Sequence, residues 1–256
     1  KNIIPEYKSG RENQKITNWG AFDNLEEEHD AKVDQMVRII QYLRTLPVKT
    51  VSIDKVEADD IIAYLSHKAL KQPGDKAIIV SSDKDFLQLI SDEVIVYRPM
   101  EKKYYTKEHF QNKYKMSPKN FIIYKTLLGD SSDKIVGVKG LGEKKLHKLF
   151  PELSTRDVSW QDILDICETK LKDHVIYARI LQGINELEKN YKIIDLSNPI
   201  MDENDKTFLN EFVESKDLNY LPEVFTNLYN EDELGGMIRN LDFWLRENFL
   251  KLVSKK

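Results

Sequence analysis

Acidic residues in three short clusters carry the chemistry this sequence offers: Glu57, Asp59 and Asp60, then Asp83 and Asp85, then Asp130 and Asp133. Carboxylates brought within a few ångströms of one another repel and raise each other's pKa, so several converge at low cost only where cations neutralise them. Oxygen-only donors suit hard divalent cations, magnesium above all, with manganese as a substitute. None of the histidines His29, His67, His109, His147 and His174 stands at a spacing that pairs metal ligands, which argues against zinc. A plainer reading competes: Asp59, Asp60, Asp83 or Asp85 taken singly is a good first-turn acid of a helix, favoured by free N–H groups and the dipole. Capping explains one aspartate at a time. Acids after consecutive strands, with more in a Gly-Asp loop, favour metal binding.

Such clusters need elements that aim them at one place. The spacing predicts a helix from Asn24, an N-cap with Glu27 three residues on, through Val33, Met36, Val37, Ile40, Leu43 and Leu46 to a stop at Pro47. Residues 48–53 form a β-branched run that reads as strand, and a helix follows through Asp60 and Leu65. Residues 77–82 read as a continuous apolar strand, 85–90 as a short helix and 94–98 as another strand. That alternation predicts an α/β half built on a parallel sheet, whose ligands collect at the carboxyl ends of strands. The first two clusters should therefore open on one edge. Beyond about residue 106 the pattern predicts helices over 106–114, 117–128, 143–150, 160–171 and 175–190, and an amphipathic one over 237–253, interrupted by a glycine-rich charged loop at 129–142.

In combination, Glu57-Ala58-Asp59-Asp60, Ser82-Asp83-Lys84-Asp85, Gly129-Asp130-Ser131-Ser132-Asp133 and Gly137-Val138-Lys139-Gly140-Leu141-Gly142 resemble the 5′-nuclease superfamily. That family comprises the flap endonucleases and the 5′–3′ exonuclease domains of bacterial DNA polymerases and phages. Order and approximate spacing agree over residues 5 to about 150, and beyond that the likeness is one of helical character. The resemblance implies a PIN-like parallel-sheet nuclease core over 1–114, its first strands lying upstream, with 1–23 as an arch-like segment. It implies a mainly helical DNA-binding subdomain over 115–256, with a helix–three-turn–helix motif near 125–150.

The chemistry implied is magnesium-dependent hydrolysis of phosphodiesters in branched or flapped DNA, or in the RNA–DNA hybrids of primers. Glu57, Asp59 and one acid of the second pair would hold one metal, Asp85, Asp130 and Asp133 would approach the other, and Asp60 would stand behind them. Two cations about 3.5–4 Å apart stabilise both the attacking and the leaving oxygen of an in-line displacement. Relatives carry a Tyr-Lys-x-x-Arg segment at the base of a helical arch, and Lys8 and Arg11 fall on its basic positions. Three apart on a helix, they share a face from which both can counter charge on the scissile phosphate. Gly137, Gly140 and Gly142, with Lys139, Lys144 and Lys145, match the loop that grips duplex backbone without reading bases. Relatives bind potassium there through carbonyl oxygens. The sequence departs from the family pattern at Lys134, where asparagine is common, and two further aspartates supplied by upstream strands would complete the ligand set.

The formal net charge of −4 excludes a uniformly basic coat, so any nucleic-acid face is local, as in the run Lys134, Lys139, Lys144, Lys145 and Lys148. No apolar stretch approaches the roughly 20 residues of a membrane helix, and the chain reads as a monomeric cytoplasmic protein of a bacterial cell or phage-infected host. Cys167, the single cysteine, has the spacing of an inward-facing structural thiol. The 237–253 segment reads first as packing, with docking to a sliding clamp or single-strand-binding protein as the alternative. Against the nuclease stands a noncatalytic DNA-binding module with remnant acids, and a metal-stabilised structural domain is a third reading.

Overall fold

Asn24 opens helix α1 (Leu25–Thr45) by accepting the Glu27 amide on its side-chain oxygen at 2.9 Å, as its sequence position predicts. The structure is a computed structural model that describes residues 18, 20–68, 70, 72–215 and 218–253. Contacts group these residues into two units, one of residues 54–213 and one of the residues up to 53 together with those from 214 on.

The first unit is α/β. Helix α2 (Ala58–Lys68) packs beside strand β1 (Ala77–Val80), and a 3-10 turn (Asp85–Leu89) leads to β2 (Val94–Arg98) and β3 (Lys103–Tyr105). β1 and β2 are parallel, pairing from Ala77↔Val94 to Val80↔Tyr97, and β3 adds antiparallel to β2. Burial alternates along β2, with Val94, Val96 and Arg98 inward, as a period of two requires. Leu87, Val94, Val96, Phe110, Ile123 and Leu127 are fully buried and tie sheet and helices into one core.

The helical part follows as α3 (Lys107–Tyr114), α4 (Phe121–Leu128), α5 (Glu143–Leu149), α6 (Trp160–Thr169), α7 (Val175–Gln182), α8 (Ile184–Ile194) and α9 (Glu203–Glu214). Tyr114 and Phe121, on either side of residue 115, stack edge to face at 5.1 Å within this same unit. Cys167 is fully buried on α6, and burial pushes its thiol up to about 12, which leaves it an inert core group.

The structure corrects several expectations. Residues 48–53 pair with no strand among the described residues, and an unpaired run cannot make the ladder that defines a strand. The helix expected over 175–190 breaks at Gly183 into α7 and α8. Within the loop at 129–142 a small antiparallel pair forms, β4 (Gly129–Asp130) with β5 (Ile135–Val136), too short for a period to announce it.

The second unit holds α1, α10 (Pro222–Glu231) and α11 (Leu241–Leu245), which runs through a π-helical turn (Arg246–Leu250) into α12 (Lys251–Val253). The terminal helix thus begins at Leu241, not at 237, because Asn240 caps it and Gly236 just before adopts φ 118. Leu46, Phe225, Tyr229 and Leu245 form the core of this unit. Arg38 Nε donates to both oxygens of Asp232 at 2.9 Å, and the Tyr42 hydroxyl donates to the same carboxylate at 2.7 Å. No helix among the described residues is long and apolar enough to cross a membrane.

Candidate metal centre and nucleic-acid interface

Glu57, Asp59 and Asp60 meet at the start of α2, where one carboxylate oxygen from each lies within 4.8 Å of the others. Their placement follows from the helix start: first-turn acids face the open N–H end. Asp59 accepts the Asp60 amide at 2.9 Å, while Asp60 is buried and accepts the Ile200 amide at 3.0 Å. Asp60 thus anchors the chain before α9 as well as standing beside the other two acids.

The second pair sits in the turn after β1, at the carboxyl end of a parallel strand, as expected. Asp83 is exposed and accepts the Asp85 amide at 2.9 Å, an Asx-type turn that fixes the spacing of the two acids. Asp85 turns inward. Its partner is Lys125 of α4, whose ammonium hydrogen-bonds Asp85 Oδ1 and lies 2.7 Å from Asp130 Oδ2. Asp130 also accepts from the Ser132 amide at 2.8 Å and from its hydroxyl at 2.5 Å. One buried cation, 7% exposed, therefore bridges the second and third clusters.

The two acids around that lysine respond in opposite senses. Burial holds the Asp85 carboxyl above its ordinary range, and the Asp83 and Asp130 charges act with burial against Lys125. For Asp130 burial works the same way, but hydrogen bonds from Lys125 and Ser132 outweigh it and bring the group down to about 2. Burial also opposes the charge on Lys125, yet Asp85 and Asp130 raise its pKa and keep it protonated. Asp130 is thus held as an anion, whereas burial disfavours the charge on Asp85 and Lys125 offsets it.

Among the described residues Glu57, Asp59 and Asp60 are the one group of ligand-type side chains gathered that closely, and Asp83, Asp85, Asp130 and Asp133 do not close into a second. The donor chemistry nevertheless fits hard divalent cations at both places: every donor is a carboxylate oxygen, and Lys125 shows that the gap between Asp85 and Asp130 accepts positive charge. Lys8 and Arg11 lie outside the described residues. Lys125 went unread in the sequence. Its signal was available, since it is the only charged residue in Phe121–Leu128, five positions before Asp130.

The loop after the third cluster is built by glycine. A Cβ on Gly129 would lie 2.4 Å from the Gly137 amide nitrogen, and one on Gly137 would lie 2.2 Å from the Leu128 carbonyl carbon. Those two positions allow β4 and β5 to close against the end of α4, where Val138 N–H donates to Leu127 O at 2.8 Å. Gly140 takes φ 81 and turns the chain into α5, and Leu141 N–H donates to Val138 O at 3.0 Å. Two cations hold the turn's carbonyls: Arg179 Nη1 of α7 donates to Lys139 O and Lys145 Nζ to Gly140 O, each at 2.7 Å. Lys139, Lys144 and Lys145 are exposed, so the turn presents positive charge to solvent. Gly142 has open space around its α-carbon, so no contact demands glycine there.

The fold is α/β with carboxylates at the end of a parallel strand, an oxygen-donor set that suits hard cations, beside a glycine turn ringed by lysine whose charge suits an anion. Residues 1–115 match the family of the 5′-3′ exonuclease, N-terminal resolvase-like domain. A 5′-3′ exonuclease of Buchnera aphidicola is 34% identical over 144 residues, which is 56% of this chain and 50% of that protein. A 5′-3′ exonuclease of Aquifex aeolicus is 29% identical over 213 residues, 83% of this chain and 68% of that one. A solved structure of a bacteriophage T5 flap endonuclease, in a complex with DNA and metal ions, superposes with a TM-score of 0.59 at 21% identity. That likeness covers 90% of this chain and 78% of the phage chain, and it shows a shared fold. These matches support the 5′-nuclease superfamily as the family of this chain. The match to the Buchnera relative spans half of that protein's length.

Proposed function

We propose that this chain acts in a structure-selective 5′-nuclease, hydrolysing phosphodiesters of branched DNA or RNA primers with magnesium. The observation that carries the reading is the bridge of Asp85 and Asp130 by Lys125, a buried cation between acids of two clusters. Divalent cations bound by these acids supply charge stabilisation and an activated water. Glu57 and Asp59 would hold one such cation, with Asp60 fixing the helix start behind them. Asp83, Asp85, Asp130 and Asp133 would serve the other.

The chain's own residues do the rest. Lys125 favours the charged form of Asp85 and lines it up with Asp130, so that an approaching cation would meet a preset pair of oxygens. The turn at Gly137, Lys139 and Gly140, with Lys144 and Lys145 on the helix behind it, would hold the duplex backbone by charge and N–H groups, independent of sequence. Lys139 O and Gly140 O already have cationic partners, which bears on the potassium site: such an ion would share carbonyls with Arg179 and Lys145. Lys8 and Arg11 would counter charge on the scissile phosphate, and a flap or primer in replication is the substrate proposed. The T5 enzyme's complex with DNA and metal ions, on the same fold, supports the DNA partner.

Cleavage of a labelled 5′-flap by the full-length protein tests the proposal. Turnover should need magnesium and vanish in Asp85→Ala and Asp130→Ala, with flap binding in calcium retained. Full turnover in both variants would leave the noncatalytic module as the better reading.

A further inference from the structure

Arg98 is a charged side chain buried where the proposed function gives it no part. It ends β2, is 6% exposed, and carries its guanidinium behind the turn that holds Asp83 and Asp85. Nη2 donates to the Ser82 carbonyl at 2.8 Å, and Nη1 pairs with Glu101. The guanidinium carbon lies 5.7 Å from the centre of the Tyr105 ring, whose hydroxyl donates to Glu101 at 2.6 Å. Lys113 closes the group, its ammonium 2.5 Å from the Tyr105 hydroxyl. A buried arginine costs solvation free energy, and this one, with Nε and Nη1 buried without hydrogen-bond acceptors, makes its hydrogen bond through Nη2 to Ser82 and is neutralised by Glu101.

What it holds is one peptide plane. The sheet ladder ends where Ser81 N–H donates to Tyr97 O at 3.0 Å, so the peptide two further on, Ser82 to Asp83, has no strand to fix it. Its carbonyl is taken by Arg98 at 2.8 Å and its N–H by the Ser81 hydroxyl at 3.1 Å. With both ends of that plane bound, the Cα–Cβ direction of Asp83 is set, and Asp83 in turn sets Asp85 by accepting its amide at 2.9 Å. We propose that Arg98 and Ser81 are positioning residues for the second acidic pair, clamping the Ser82–Asp83 peptide so that Asp83 and Asp85 meet a divalent cation in one preset geometry. This inference rests on the metal-binding part of the proposed function.

The test uses the full-length protein with Arg98→Met, Arg98→Lys and Ser81→Ala, each titrated with manganese by calorimetry in the absence of DNA. Removing a partner that orients a metal ligand costs about tenfold or more in affinity, which is the shift expected for Arg98→Met. Ser81→Ala loses one neutral hydrogen bond and should shift the midpoint by about two- to fivefold. Arg98→Lys keeps the charge and one donor and should fall between wild type and Arg98→Met. The half-saturating magnesium for flap cleavage should move by the same factors while flap affinity in calcium stays level. Lower melting temperatures with unchanged manganese midpoints in Arg98→Met and Ser81→Ala would overturn the inference. Should Arg98→Met not fold, an unchanged midpoint in Ser81→Ala overturns it, and a weakened one supports it. Wild-type protein that binds manganese without cutting DNA would remove the nuclease reading alone, and the titrations would still decide this one. Wild-type protein that binds no manganese would remove both.

Discussion

The Lys125 ammonium stands 2.7 Å from Asp130 Oδ2 and hydrogen-bonds Asp85 as well, so a single side chain from α4 joins acids lying 45 residues apart in sequence. Removing one partner of a buried ion pair leaves uncompensated charge and costs about 3–5 kcal/mol. Lys125→Met should therefore lower the metal-free protein's stability in urea by up to that amount. Magnesium should restore part of the loss, because cations would take over the neutralisation of Asp85 and Asp130. Equal stability with and without magnesium in the variant would count against a metal at this pair.

Gly137→Ala places a Cβ 2.2 Å from backbone at Leu128, which only a backbone shift can relieve. Overpacking of this kind costs about 1–3 kcal/mol or more, and β5 should part from the end of α4. The comparison is Gly142→Ala, where the Cβ has open space and the change should cost only the loss of an N-cap glycine, about 0.5–1 kcal/mol. Chemical denaturation of the two variants, with flap binding measured alongside, separates them.

Lys134 takes φ 58, a left-handed conformation that lysine adopts at a cost of about 1–2 kcal/mol and asparagine tolerates better. Lys134→Asn should stabilise the protein by about 0.5–1 kcal/mol. A rise in the urea midpoint checks it, and a fall would show that the lysine's own contacts outweigh the backbone strain.

Those same positions show how far the sequence could be read. Asp83, Asp85 and Asp130 were legible because hydrophobic runs ending in acids mark strand ends and loops, and α1 was legible from Asn24 and its periodicity. Lys125 and Arg98 were not. Lys125 sits inside an apolar helix and Arg98 closes an apolar strand, and the period that fixes each element says nothing of a long side chain reaching a neighbour far away in sequence. The β4–β5 pair was equally hidden, since two-residue strands carry no pattern and only the crowding at Gly129 and Gly137 reveals it. Residues 48–53 misled in the opposite way: β-branched residues favour a strand, but a strand exists only with a neighbour.

Acid and alkali should both weaken the second unit, for separate reasons. Arg38, then Tyr42, hold the Asp232 carboxyl below its ordinary range, so its contribution is present above about pH 3.9 and is lost as pH falls through the depressed value. Burial and then the hydrogen bond to Asp232 push the Tyr42 hydroxyl up to about 12, so its contribution is present below about pH 10 and is lost as pH rises towards that value. Asp232→Asn should flatten the acid limb, and Tyr42→Phe the alkaline limb, of melting temperature plotted against pH.

Anomalous diffraction from manganese-soaked crystals of the full-length protein decides whether acids from separate clusters hold divalent cations. Manganese peaks are expected beside Glu57 and Asp59 and between Asp85 and Asp130, the latter with the Lys125 ammonium displaced from the midpoint. Maps without anomalous density at either place, at manganese concentrations that support cleavage, would contradict that role for the acids.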